Sequence, residues 1–230
     1  MRKLIIGFVL IGLISCGARN DLAPVVESNW RPFSSSSNGY IVRKGDTLYS
    51  IAFRYDLDYR DLANYNHLRS PYILSVGQVI KLKSHPVKPK YTPQVQVKAP
   101  VTFKVYKNPT DHWVLPAKGR VVENFSPNFG RKGINIAGKK GDKIYAASSG
   151  TVAYSGQGLA NYGNLIILKH DNNYLTAYGN NAKNLVKEGQ YVHVGAVIAE
   201  IGLVGHSYYG LHFEIRKQGQ PVNPMKYLHI

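Results

Sequence analysis

Between Trp113 and Leu228 the chain is cut by Gly, Asn and Asp into short β-prone runs, and this punctuation restricts the possible folds more than any other feature. Gly150–Tyr154, Leu165–Leu168, Tyr174–Tyr178, Val192–Ile201 and Leu211–Arg216 each have the length and residue types of a strand. Asp171-Asn172-Asn173 lies between two of them as a hairpin connection. No segment with helical period competes, so the region reads as an all-β domain. In Leu211–Arg216 alternate side chains point to opposite faces. Leu211, Phe213 and Ile215 form an apolar set for a core, which leaves His212, Glu214 and Arg216 on the other face.

The 230 residues leave room for a second domain, and 44% hydrophobic with 18% charged residues suits a globular, exported protein. Arg2 and Lys3 precede an apolar run from Leu4 to Ile14, long enough for a secretory leader and too short to span a bilayer. The run closes in Leu13-Ile14-Ser15-Cys16, which resembles the lipobox of bacterial lipoproteins, with Cys16 as the lipidated residue. Residues 1–15 are thus expected to be a signal peptide and 16–39 a Ser-rich tether. Gly17, where Asp is absent, implies by the same resemblance sorting to the outer membrane. Cys16 is the single cysteine, which excludes an internal disulfide. The net charge of +16 calls for an anionic partner or surface. No nucleic-acid motif accompanies it, so anionic envelope surfaces fit better than nucleic acid.

Residues 40–82 form a compact strand–helix–helix–strand unit. Tyr40-Ile41-Val42 opens it, and Asp46 or Thr47 caps a first helix whose apolar face is Leu48, Ile51, Ala52 and Tyr55. Asp58 caps a second helix with Tyr59, Leu62, Ala63 and Tyr65 on its apolar side, and Val79–Leu82 returns as a strand. The pattern from Tyr40 through Gly45-Asp46-Thr47-Leu48, Ile51-Ala52 and Asn66 to Val76-Gly77-Gln78-x-Ile80 resembles a LysM domain. That resemblance implies binding of peptidoglycan glycan strands through Gly45, Asp46, Thr47 and Leu48 and through Tyr72, Ile73 and Leu74. Residues 83–112 alternate Pro and Lys and read as an extended linker, in which Val95 to Val105 could instead add a strand to the next domain.

Within 113–230, three segments resemble the site motifs of the LytM/M23 zinc endopeptidases: Arg131-Lys132-Gly133-Ile134-Asn135, Ala177-Tyr178-Gly179-Asn180 and Gly210-Leu211-His212-Phe213-Glu214. A catalytic zinc needs three protein ligands and an open position for water. Arg131 stands at the first His position and Asn135 at the Asp position, and His212 alone keeps its ligand identity. Asn180 and Gly210 stand at the two catalytic His positions, and neither can act as a general base. The loop from Gly205 to His212 is also one residue short. The resemblance therefore implies a degenerate peptidase domain with no cofactor and no catalytic residue. Arg131 and Asn135 would be roughly 13 Å apart on a straight strand, so a bend at Gly133 is expected to bring them together.

The leader, one LysM module and a degenerate LytM/M23 domain ending in Val222-Asn223-Pro224 and Tyr227-Leu228 together resemble the murein hydrolase activator lipoproteins. The overall expectation is an α+β LysM module (βααβ) followed by an all-β LytM/M23-like antiparallel sheet domain. By resemblance, the implied function is non-catalytic activation of a periplasmic N-acetylmuramoyl-L-alanine amidase. The setting is peptidoglycan splitting at the septum, from the periplasmic face of the outer membrane. The groove would present Arg131, Asn135, Tyr178, Asn180, Gly210 and His212 to the partner. Two alternatives stand beside it. One is a wall-binding tether with no client; the other is a metallo-endopeptidase that recruits ligands from elsewhere, such as His193 or His206.

Overall fold

The computed structural model describes residues 39–82, 113–205 and 207–229. The expected leader, tether with Cys16, linker and His206 lie outside the described residues. The first part contains β1 (Gly39–Ile41), α1 (Leu48–Arg54), α2 (Tyr59–Tyr65) and β2 (Val79–Lys81), with β1 antiparallel to β2. Thr47 rather than Asp46 caps α1: its hydroxyl accepts from the Ser50 amide at 3.1 Å, and the Ser50 hydroxyl accepts from the Thr47 amide at 3.0 Å. This reciprocal pair satisfies two amides that the first turn would otherwise leave open. Asp58 caps α2 as expected, accepting from the Arg60 amide at 2.9 Å. Leu48, Ile51, Ala52, Leu62, Ala63 and Ile80 make the core. Tyr65, expected on the apolar side, is 42% exposed. At 100° per residue it lies about 200° around the helix from Ala63, on the solvent side.

The second part has twelve strands: β3 (Trp113–Val114), β4 (Val121–Glu123), β5 (Ile134–Ala137), β6 (Lys143–Tyr145), β7 (Gly150–Gly156), β8 (Asn164–Lys169), β9 (Tyr174–Asn184), β10 (Tyr191–Val192), β11 (Val197–Val204), β12 (Tyr208–Lys217), β13 (Gln220–Val222) and β14 (Leu228–His229). Ten of them join one sheet with the central order β10-β7-β8-β9-β11-β12-β5-β4. β12 is its hub, paired antiparallel with β5, β9, β11 and β13. Asn172 and Asn173 both take positive φ, 54° and 67°, in the tight turn between β8 and β9. The run expected from Val192 to Ile201 is broken into β10 and β11 by a turn at Gly195, whose φ is +77°.

Both faces of this sheet are covered. One carries Ile136, Ile166, Leu168, Tyr178, Leu211, Phe213 and Ile215 over the main core with Trp113. The other carries Leu165, Ile167, Leu175 and Ala177, and the side chain packed among them is Phe53 of α1. This explains the unbroken apolar run in β8, since a strand buried on both sides has no polar alternation. Burial of a Phe side chain contributes about 2–3 kcal/mol. Phe53 therefore seats α1 on the sheet. Around it, the Thr47 hydroxyl donates to the Ala153 carbonyl at 3.1 Å, Arg54 donates to the Gly158 carbonyl at 2.7 Å, and Gln220 donates to the Asp56 carbonyl at 2.8 Å.

Candidate functional site

The strand register builds the site. Glu123 on β4 lies opposite Asn135 on β5, and Asn135 lies opposite His212 on β12. Neighbouring strands are under 5 Å apart, so these three side chains form one row across the sheet. The next position in the row is Gly179 on β9, opposite His212. Its missing side chain leaves room for Tyr162, whose ring meets the His212 imidazole edge-on at 5.7 Å.

Hydrogen bonds run along the row. Arg131 Nε sits 2.8 Å from one oxygen of Glu123, and the Asn135 amide nitrogen donates to the other. That leaves the Asn135 oxygen to accept from His212 Nδ1 at 2.7 Å. His212 Nε2 faces Glu214 Oε1 at 3.0 Å. Both imidazole nitrogens therefore point at oxygen acceptors, and neither offers a lone pair outward. Among the described residues no three His, Cys, Asp or Glu side chains are placed to hold a metal ion. With Arg131 a fixed cation and both nitrogens of His212 engaged, the donor set does not fit a zinc centre.

Along β12 the network continues inward. Glu214 accepts from the Tyr162 hydroxyl at 2.7 Å and from Arg216 Nε at 2.8 Å. Arg216 reaches α1 and the turn after it, donating to the Phe53 carbonyl at 2.8 Å and to Asp56 at 2.7 Å, with its guanidinium 3.5 Å above the centre of the Phe53 ring. Asp56 also pairs with Lys132 at 2.5 Å. Burial alone would raise the Glu214 carboxyl, but the Arg216 guanidinium, with His212 and Tyr162, holds it well below the usual carboxylate range. Burial likewise works against the charge on Arg216, and Glu214 outweighs it, keeping the guanidinium firmly protonated. The Tyr162 hydroxyl is pushed far up by burial and by Glu214. Glu214 and Arg216, on the face of β12 opposite its apolar set, are fully buried, because α1 covers that end of the strand.

The six expected groove residues do not all meet. Arg131, Asn135 and His212 converge: the backbone bends at Gly133, and Arg131 and Asn135 both bond to Glu123. Gly133 is required for a second reason: a Cβ there would lie 2.2 Å from the Phe213 carbonyl oxygen. Asn180 is half-buried with φ +62°, its amide donating to the Tyr162 carbonyl at 2.7 Å. Gly210 is buried beneath the Tyr208 ring. Tyr178 does not reach the groove. It lies opposite Phe213 on the core face, fully buried, with its hydroxyl accepting from the Ala147 amide at 2.9 Å. One residue of strand parity separates it from the groove face. Of the expected glycan residues, Asp46, Thr47, Leu48, Tyr72, Ile73 and Leu74 line one cavity of about 390 Å³. Gly45 lines a neighbouring cavity. Glu123, Tyr162, Phe53 and Asp56 were not anticipated. Of these, only Phe53 carried a signal, as an aromatic off the apolar stripe of its helix.

Residues 40–83 match the LysM domain and residues 129–224 match peptidase family M23. The chain is 40% identical over 249 residues to "Lipoprotein NlpD/LppB homolog" of Pseudomonas aeruginosa, covering 91% of this chain and 82% of that one. It belongs to the NlpD/LppB lipoprotein family. "Murein hydrolase activator NlpD" of Escherichia coli is 35% identical over 260 residues, covering 85% of this chain and 69% of that one. Among solved structures, Csd3 of Helicobacter pylori is similar over 51% of this chain and 33% of that one, with 31% identity and a TM-score of 0.47. In this chain, then, a LysM domain precedes a mostly antiparallel M23-like sheet.

Proposed function

We propose that the chain is a non-catalytic activator of a periplasmic N-acetylmuramoyl-L-alanine amidase, held on peptidoglycan by its LysM domain and on the outer membrane by lipid at Cys16. The observation that carries this reading is the Glu123–Asn135–His212 row. Its polar atoms are committed to one another, so the groove has the shape of a peptidase site with no group free to do the chemistry. What remains is a recognition surface. At its rim Arg131 is half-exposed beside Phe129, which is 79% exposed, with the guanidinium 5.9 Å from that ring. An aromatic and an Arg side by side are the residue types that dominate binding hot spots. The surface would take up an amphipathic regulatory segment of the amidase and favour the state in which the amidase's own metal is open, which needs only a difference in affinity between the two states. Septal enrichment belongs to the same proposal. The relatives named as murein hydrolase activators support the activator part of the reading.

The test is dye release from labelled peptidoglycan sacculi by the chain, alone and with a periplasmic amidase, with and without chelator. Release only with both proteins is expected, and Arg131→Glu, which sets a second carboxylate against Glu123, should abolish it while leaving sacculus binding intact. Release by the chain alone, lost with chelator, would overturn the proposal in favour of an endopeptidase. Sacculus binding with no release in any mixture would leave a wall tether.

A further inference from the structure

The cavity at the LysM glycan segments is closed on its far side by the other domain. Leu48, Tyr49 and Tyr72 face Thr151 and Ala153 of β7, Lys169 at the end of β8, and Glu188. The Thr47–Ala153 hydrogen bond fixes the rim, so the two walls are held at a set distance rather than meeting by chance. The walls differ in chemistry. On the LysM side Tyr49 and Tyr72 pack edge-on at 6.1 Å and present an aromatic surface of the kind that covers the C–H face of a pyranose. On the sheet side stand a hydroxyl, a carboxylate and an ammonium, which are donors and acceptors for the sugar's edge. A volume of about 390 Å³ falls within the range of small-molecule sites.

We infer that the glycan site is bipartite: the M23-like domain supplies its second wall, and Lys169 there selects strands whose peptide stems carry a free carboxylate over neutral amino-sugar chains. The inference rests on the LysM reading above and adds a ligand-contacting role for the sheet domain. Glu188 already accepts from the Ser155 amide at 3.2 Å, which turns it toward its own domain as a fixed acceptor. Lys169 is exposed and is the cation of the pocket wall.

The experiment is calorimetric titration of the full chain in detergent with two probes, the neutral tetramer of N-acetylglucosamine and a peptidoglycan tetrasaccharide bearing its peptide stems. Thr151→Trp, which fills the sheet-side wall, should weaken both probes about five-fold or more, about 1 kcal/mol. Lys169→Glu, a surface change that leaves folding alone, should weaken the stem-bearing probe two- to five-fold and leave the neutral one unchanged, the size of an exposed ion pair. Tyr72→Ala should weaken both. If Tyr72→Ala weakens both while the two sheet variants bind like the unaltered chain, the LysM wall alone is the site and the bipartite inference is overturned, with the LysM reading intact. If the unaltered chain binds neither probe, the LysM reading itself fails.

Discussion

The two ends of the polar face of β12 carry the same kinds of groups under opposite conditions. At the His212 end, a cation and a carboxylate, Arg131 and Glu123, meet in water with half and about a third of their side-chain surface exposed. At the Arg216 end, Glu214 and Arg216 meet with 0% and 1% exposed, beneath the LysM helix. An exposed pair contributes at most about 1 kcal/mol. A buried pair contributes little over an apolar replacement, but removing one partner strands the other charge at a cost of about 3–5 kcal/mol. The open end is therefore free to bind, whereas the closed end fixes where the LysM domain sits.

Arg216→Ala should produce the largest effect, a loss of about 3–5 kcal/mol read by urea denaturation, because it strands Glu214 and leaves Asp56 with Lys132 alone. The same change should loosen the LysM domain, read as a larger radius of gyration in solution scattering.

Acid sensitivity should then separate the closed network from the ordinary core. His170 is buried between the Ser149 carbonyl and the Thr176 hydroxyl, and burial lowers it from 6.5 to about 4. Because the folded chain holds this imidazole neutral, its contribution is whole above pH 6.5 and falls away as pH drops toward 4, by roughly 3 kcal/mol in all. Glu214 is depressed, so its contribution is whole above the ordinary carboxylate range near 4.3 and is lost only at lower pH. Melting temperature against pH should show two successive declines. His170→Gln should remove the first and keep the second, with Glu214→Gln doing the reverse.

A smaller effect should come from Gly219, where a Cβ would lie 2.3 Å from the Leu57 backbone. Its φ of +78° means that Gly219→Ala also strains the backbone, at about 1 kcal/mol or more. Gly195, with φ +77° and nothing within 4 Å, is the matched control, since Gly195→Ala carries strain alone. Only the Gly219 variant should increase protease cutting between the domains. The smallest change in stability, at most about 1 kcal/mol for an exposed pair, is expected for Arg131→Glu, which should nonetheless abolish amidase activation.

Much of this was legible before any coordinates. Turn residues marked the strands, Asp58 and the pair Asp46-Thr47 marked the helix starts, and the alternation in β12 put His212 and Phe213 on opposite faces. The motif segments also led to Asn135 and His212, which proved to be directly bonded. Tyr178 shows where reading stops, since its face depends on a register with β12 that no local pattern states. Glu123 is an acidic residue in a three-residue strand outside any motif, and only the pairing of β4 with β5 gives it a role. The burial of Glu214 and Arg216 was hidden for a further reason. A polar face signals solvent only when nothing docks on it, and the docking element lies some 160 residues earlier in the chain.

The apolar outer side of β8 has a consequence for ancestry. Leu165 and Ile167, with Leu175 and Ala177 beside them, are suited to a covered surface, and Phe53 supplies part of that cover. A descendant that shed its first domain would bare this patch and would need several coordinated substitutions to stay soluble. A descendant that exchanged the domain for another LysM would need a newcomer with an aromatic at the place of Phe53 and an acid at that of Asp56. The two halves are thus expected to be inherited as a pair, with changes at their contact surfaces arising together.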